Sequence, residues 1–151
     1  MPEWNLTGSR MFSHAARFID AYHNVLQPLC RETGLPPMAM DILLFVANNP
    51  DRNTASDICQ CRGLKPGIVS VHVDRLVNEG LLVRAEAAND RRKTWLTCTE
   101  KAQSVVAEGR KLQKAFANKL SDGINESDME SFRRTLTRFG ENLEDILRHG
   151  L

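Results

Sequence analysis

Val73-Asp74-Arg75-Leu76-Val77-Asn78-Glu79-Gly80-Leu81-Leu82-Val83-Arg84 is the stretch on which the reading of this chain turns. Val69, Val73 and Leu76 stand at i, i+4 and i+7, which is one stripe of a helix. Lys65-Pro66 opens that helix, because proline suits a first turn, and Gly80 suits a left-handed cap at its end. The period then shortens. Leu81 to Arg84 reads as a strand, Ala87 to Asp90 as a connecting tip, and Arg91 to Cys98 as a returning strand rich in β-favouring Thr94-Trp95-Leu96-Thr97. The result is a small hairpin with Asp90-Arg91-Arg92 at its end.

Working outward, Thr54 is an N-cap candidate for a short helix holding Ile58 and Cys59 and closed at Gly63. Upstream, Phe12, Ala15, Phe18/Ile19, Tyr22, Val25/Leu26 and Leu29 form a helical stripe from about Ser9 to Cys30. Gly34 stops it, and Pro36-Pro37 starts a second helix running to Asn48. Downstream, Thr99 reads as the cap of a long helix with Ala102, Val105, Val106, Gly109, Leu112, Phe116 and Leu120 on one side, broken at Gly123. The last helix, from about Glu126 to His149, carries Met129, Phe132, Leu136, Phe139, Leu143 and Ile146 at alternating steps of three and four. That 3.5-residue repeat suits helices packing lengthwise against a partner, although an ordinary core helix would also carry it. Short helix, tight turn at Arg62-Gly63-Leu64, second helix and basic hairpin is the winged helix-turn-helix order. The expected fold is mainly α with a small β-hairpin wing. Residues 1–34 and 99–151 supply a dimerisation region, and 35–98 form the DNA-binding lobe.

Composition permits this. Of 151 residues, 42% are hydrophobic and 26% charged, enough for a core and against disorder. Net charge is only +1, but Lys and Arg outnumber Asp and Glu eight to five within 52–98 and are outnumbered three to five before it. The positive excess thus falls where a DNA face needs it. The longest strictly apolar run, Ile42 to Ala47, is far short of the roughly 20 residues of a membrane helix. No secretion signal is visible, so the expected location is cytoplasmic. Cysteines 30, 59, 61 and 98 are expected to be free thiols. His14, His23, His72 and His149 show no metal-ligand spacing, so neither metal nor cofactor is expected. No nucleophile–base pair or phosphate loop points to an enzyme.

The stretch from Thr54 to Ala102 resembles the MarR family of bacterial and archaeal regulators. The twelve residues from Val73 look like the family's recognition-helix end and following strand. Asp90-Arg91-Arg92 followed by Thr99-Glu100-Lys101 looks like its wing signature. The resemblance implies a homodimer binding near-palindromic double-stranded DNA, often released by a small aromatic or phenolic effector. Because Val69, Val73 and Leu76 face inward, Pro66, Gly67, Ser70, Val71 and Arg75 are expected toward the major groove, with Lys65 near phosphate. By the family pattern Arg92 enters the minor groove, Asp90 holds the wing and Arg91 meets phosphate. Cys98 stands for a usual leucine and Ala102 for a usual glycine.

An effector pocket, where the first two helices meet the DNA lobe, would be lined by His14, Phe18, Tyr22, Met40 and Leu44, though each is equally a core candidate. Two alternatives accompany the regulator reading. One is a dimeric winged-helix module for protein contacts. The other is a cysteine-based redox-sensing regulator, for which Cys30 is the candidate thiol.

Overall fold

The computed structural model describes residues 4–87 and 90–151, with the side chains of 4–7, 87 and 91 outside that description. Its elements run α1 (Trp4–Thr33), α2 (Pro37–Asn48), α3 (Ala55–Arg62), α4 (Pro66–Asn78), β1 (Leu82–Ala87), β2 (Asp90–Cys98), a 3₁₀ turn (Glu100–Ala102), α5 (Gln103–Leu120) and α6 (Glu126–His149). The chain falls into two compact units, Met1–Phe116 and Ala117–Leu151. Part of the hairpin tip expected at 87–90 lies outside the described residues.

Within the first unit, α2 is the axle. Every residue from Ala39 to Val46 is buried. This explains an apolar run too short for a membrane yet without a polar face: α1, α4 and β2 all pack on it. From α5, Gly109 lies against Leu44, and Arg110 reaches the Ala47 carbonyl at 3.0 Å. No helix among the described residues is long and apolar enough to cross a membrane.

Local chemistry sets the helix ends. At α3, Thr54 and Asp57 form a reciprocal capping box, each side chain accepting from the other's backbone N–H. That bonding draws the Asp57 carboxyl below its usual range, the Thr54 hydroxyl being the largest cause. Gly63 closes α3 at φ 62°, and Gly34 closes α1 at φ 72°. One expectation needs correction. Thr99 makes no side-chain cap on a following helix. Its hydroxyl instead donates to the Gly80 carbonyl at 2.6 Å, while Lys101 donates to the Glu79 carbonyl at 2.7 Å. Both satisfy carbonyls left open at the C-terminal end of α4, where a cation is also favoured by the helix dipole.

The hairpin is antiparallel, pairing Leu82 with Cys98 and Ala85 with Trp95, with an irregularity between Glu86 and Ala87. Its base is docked by a residue that sequence reading passed over. Asn53 is buried, accepts from the Leu96 N–H at 3.0 Å through its carbonyl, and donates from its side chain to the Leu96 carbonyl at 2.7 Å. A bridge between Thr54 and Trp95 continues this contact. The wing and the start of α3 therefore move as one body.

The Gly109 contact yields a prediction of unusual sign. Glycine to alanine in a helix normally stabilises by about 1 kcal/mol. Here an added Cβ would stand 2.9 Å from Leu44 Cδ1 and 3.2 Å from Leu44 Cγ, and Leu44 is fully buried. Gly109→Ala is expected to destabilise by about 1–3 kcal/mol in chemical denaturation, as overpacked cores do. A stabilised variant would refute this packing.

Candidate nucleic-acid interface

Helix α4 has one side anchored and the other open. Val69, Val73 and Leu76 are buried, as the stripe required. On the outer side Val71 is 66% exposed and Ile68 46%, and Lys65, Pro66, Gly67 and Ser70 are exposed as well. The first turn therefore offers a cation, backbone N–H groups and small side chains to an approaching polyanion. At Gly67 an added Cβ would meet nothing within 4 Å. The fold does not require glycine there.

Arg75, expected toward the groove, is exposed, but its guanidinium donates to the Gly34 carbonyl at 2.6 Å. It thereby braces α4 against the corner between α1 and α2, which removes it from the simple outward set. Sequence reading also missed Asp74, an acid on the exposed side of α4. Its partner is Arg84 of β1, so the charge that would repel phosphate is neutralised across to the hairpin.

At the hairpin, the Asp90 carboxylate accepts from the Arg92 backbone N–H at 2.9 Å, which shapes the turn into β2. The Arg92 side chain is exposed. The side chain of Arg91 lies outside the described residues, so the phosphate contact expected of it is not tested. His72, beside the buried stripe, is half-buried, and burial followed by the nearby Arg75 charge lowers its pKa below the ordinary imidazole value.

A cavity of about 560 Å³ opens between α1, α2, α3 and α5. Phe18 and Tyr22 line it, as expected, together with Ile19 and His23. Three expected residues do not. His14 is exposed on α1 away from the lining, while Met40 and Leu44 are fully buried in the core. The reason is helical phase: α2 turns Met38, Asp41 and Asn48 to the cavity, and positions 40 and 44 fall on its other faces.

Asp41 and Arg62 were missed altogether. Asp41 is a buried acid inside an apolar helix, and Arg62 binds it in two-pronged fashion, Nε at 2.8 Å and Nη2 at 3.3 Å. The guanidinium also stacks 4.9 Å from the Phe45 ring centroid. Burial opposes the Arg62 charge, but hydrogen bonding and attraction to Asp41 outweigh it and raise its pKa. A lone aspartate within an apolar run was the available signal, since such a charge demands a partner. On the opposite wall Phe116 packs edge-on to Phe18 at 5.3 Å, and Gln113 donates to the Tyr22 hydroxyl at 2.7 Å. Burial is the main cause that raises the Tyr22 pKa above its ordinary value.

All four cysteines are free. Burial pushes the thiol pKa of Cys30 and Cys98 upward, the reverse of what a reactive thiolate needs. Among the described residues no group of three or more His, Cys, Asp or Glu is placed to hold a metal ion.

This geometry defines the class: a winged helix-turn-helix protein with an open recognition helix. Comparison with known proteins agrees. The MarR family model matches residues 33–93, which places the chain in the MarR family of transcriptional regulators, whose members are not enzymes. Transcriptional regulator PA3341 is 24% identical with a TM-score of 0.76, over 91% of this chain and 98% of that one. A Listeria monocytogenes protein complexed with a 26mer DNA gives a TM-score of 0.75 at 18% identity, over 93% of each chain. CouR from Rhodococcus jostii RHA1, bound to p-coumaroyl-CoA, gives 0.68 at 20% identity, over 88% of this chain and 90% of that one.

Two substitutions probe the interface. Arg92→Ala should weaken duplex binding strongly and leave folding and self-association intact. Gly67→Ala should leave the melting temperature unchanged or raised, while the added methyl lowers duplex affinity. Gel-shift titration at fixed salt beside calorimetric melting checks both, and unchanged affinity in either variant refutes that residue's placement at the interface.

Proposed function

We propose that this regulator works as a homodimeric repressor that reads a near-palindromic operator and releases it when a small aromatic or phenolic molecule enters the α1–α2–α3–α5 cavity. The observation that carries DNA reading is the outer side of α4, exposed from Lys65 to Val71 beside an exposed Arg92. A helix fits the major groove, where base edges differ, and an arginine on a thin hairpin suits the negative potential of a narrow minor groove. By this reading Lys65, Pro66, Gly67, Ser70 and Val71 lie at the groove, with Asp90, Arg91 and Arg92 at the wing. Val71 and Ile68 would favour apolar contact, such as a thymine methyl, over hydrogen-bonded readout. Such work places the protein in the cytoplasm.

Support for the dimer comes from uncovered apolar faces. In α6 no residue is buried, and Phe132, Leu136, Phe139, Leu143 and Ile146 lie exposed along the 3.5-residue repeat. In α1, Phe12 is 83% exposed and Ile19 52%. Contiguous apolar surface of this kind on a small chain marks an association face. We assign residues 1–34 and 99–151 to dimerisation on that basis. Support for the effector is the cavity's aromatic wall and its volume, which suits a small organic ligand.

The test is selection from a random duplex pool followed by affinity measurement across salt. A symmetric site with half-sites about 10 base pairs apart, and an affinity falling steeply with salt, is expected. Weak binding with little salt dependence would instead favour a protein-contact module. Leu136→Glu combined with Leu143→Glu should yield monomers in sedimentation and abolish tight duplex binding. A variant that still sediments as the wild type does would remove α6 from the interface.

A further inference from the structure

Arg62 occupies two places at once. It lines the cavity, and it is the last residue of α3, one step before the Gly63 turn that leads into α4. We infer that the Asp41–Arg62 ion pair is the positioning device that couples the cavity to the DNA-reading helices, and that a ligand's negative group acts by competing with Asp41 for Arg62. This rests on the reading of the cavity as an effector site.

The sign of the ligand charge follows from how the pair is presented. Both Asp41 oxygens are taken by Arg62, and the Asp41 side chain is only 5% exposed, against 35% for Arg62. A guanidinium has five N–H donors, and Asp41 engages it at Nε and Nη2 alone. The cavity therefore meets an open cation backed by a closed anion. A planar carboxylate matches the guanidinium fork, and Phe18, Tyr22 and Phe116 supply apolar wall for an aromatic ring. The class of ligand is an aromatic carboxylate.

The mechanical consequence is direct. Without its hold on Asp41, Arg62 no longer fixes the end of α3 to the buried α2. The Gly63 turn and the first turn of α4, from Lys65 to Val69, follow α3. Arg75 holds only the far half of α4, through Gly34.

The experiment uses the full chain, titrated calorimetrically with benzoate and with its uncharged counterpart benzamide. Each form is also scored against a duplex selected by the wild type from a random pool. Benzoate should bind and benzamide should not. Asp41→Asn frees the guanidinium, so it should take benzoate about tenfold more tightly and the duplex about tenfold more weakly, the usual size of coupling between two sites. Arg62→Met should lose benzoate. Because removing one partner strands the other, the double variant Asp41→Leu/Arg62→Met replaces both with apolar groups and serves as the folded comparison. It should bind the duplex with no response to benzoate.

The inference is overturned by folded single variants that bind the duplex within about twofold of wild type, well below ordinary coupling. Equal benzoate uptake by wild type and Arg62→Met, or none by either wild type or Asp41→Asn, overturns it as well. A wild type that selects no duplex would instead defeat the regulator reading, while the benzoate titrations still decide whether Arg62 is an anion site.

Discussion

The structure depends on one constraint: α4 can bury only half of itself. Val69, Val73 and Leu76 enter a core already filled by α2, and that leaves Gly67, Ser70 and Val71 outside. Burial of each aliphatic side chain is worth about 1.5–3 kcal/mol, so the helix has a strongly preferred rotation about its axis. A one-residue turn about that axis would bring Ser70 inward and lose most of this gain. Everything that makes α4 a reading element follows from this fixed phase.

The remaining contacts around α4 hold it without covering its outer side. Arg75 reaches the Gly34 carbonyl at one flank, and Arg84 of the hairpin takes Asp74 at the other. Thr99 and Lys101 close its C-terminal end. At its N-terminal end, Gly63 turns the chain out of α3, which is pinned to α2 through Asp41 and Arg62. Each tie spans distant parts of the chain, so the recognition helix is set by tertiary contacts rather than by its own propensity.

That distinction explains what could be seen before the structure. Periodicity revealed α4, α6 and the hairpin, because a stripe or an alternation is written in neighbouring residues. Local signals marked Thr54 and Gly63 for the same reason. The ties were invisible since their partners are far apart: Asp41 and Arg62 are 21 residues distant, and Asn53 and Leu96 are 43. The Thr-Glu-Lys signature was legible as a pattern, yet its clamp on the end of α4 was not. Met40 and Leu44 were misplaced because an all-round apolar helix gives no phase to read. The one polar interruption, Asp41, carried that phase.

Attaching a DNA-cleaving iron chelate to cysteine at Ser70→Cys, with the native cysteines replaced, tests the central claim most directly. The account predicts strand breaks in the selected duplex at two clusters, one in each half-site, about one helical turn apart. Absence of cleavage from position 70, alongside cleavage from the same reagent carried on α6, would contradict it.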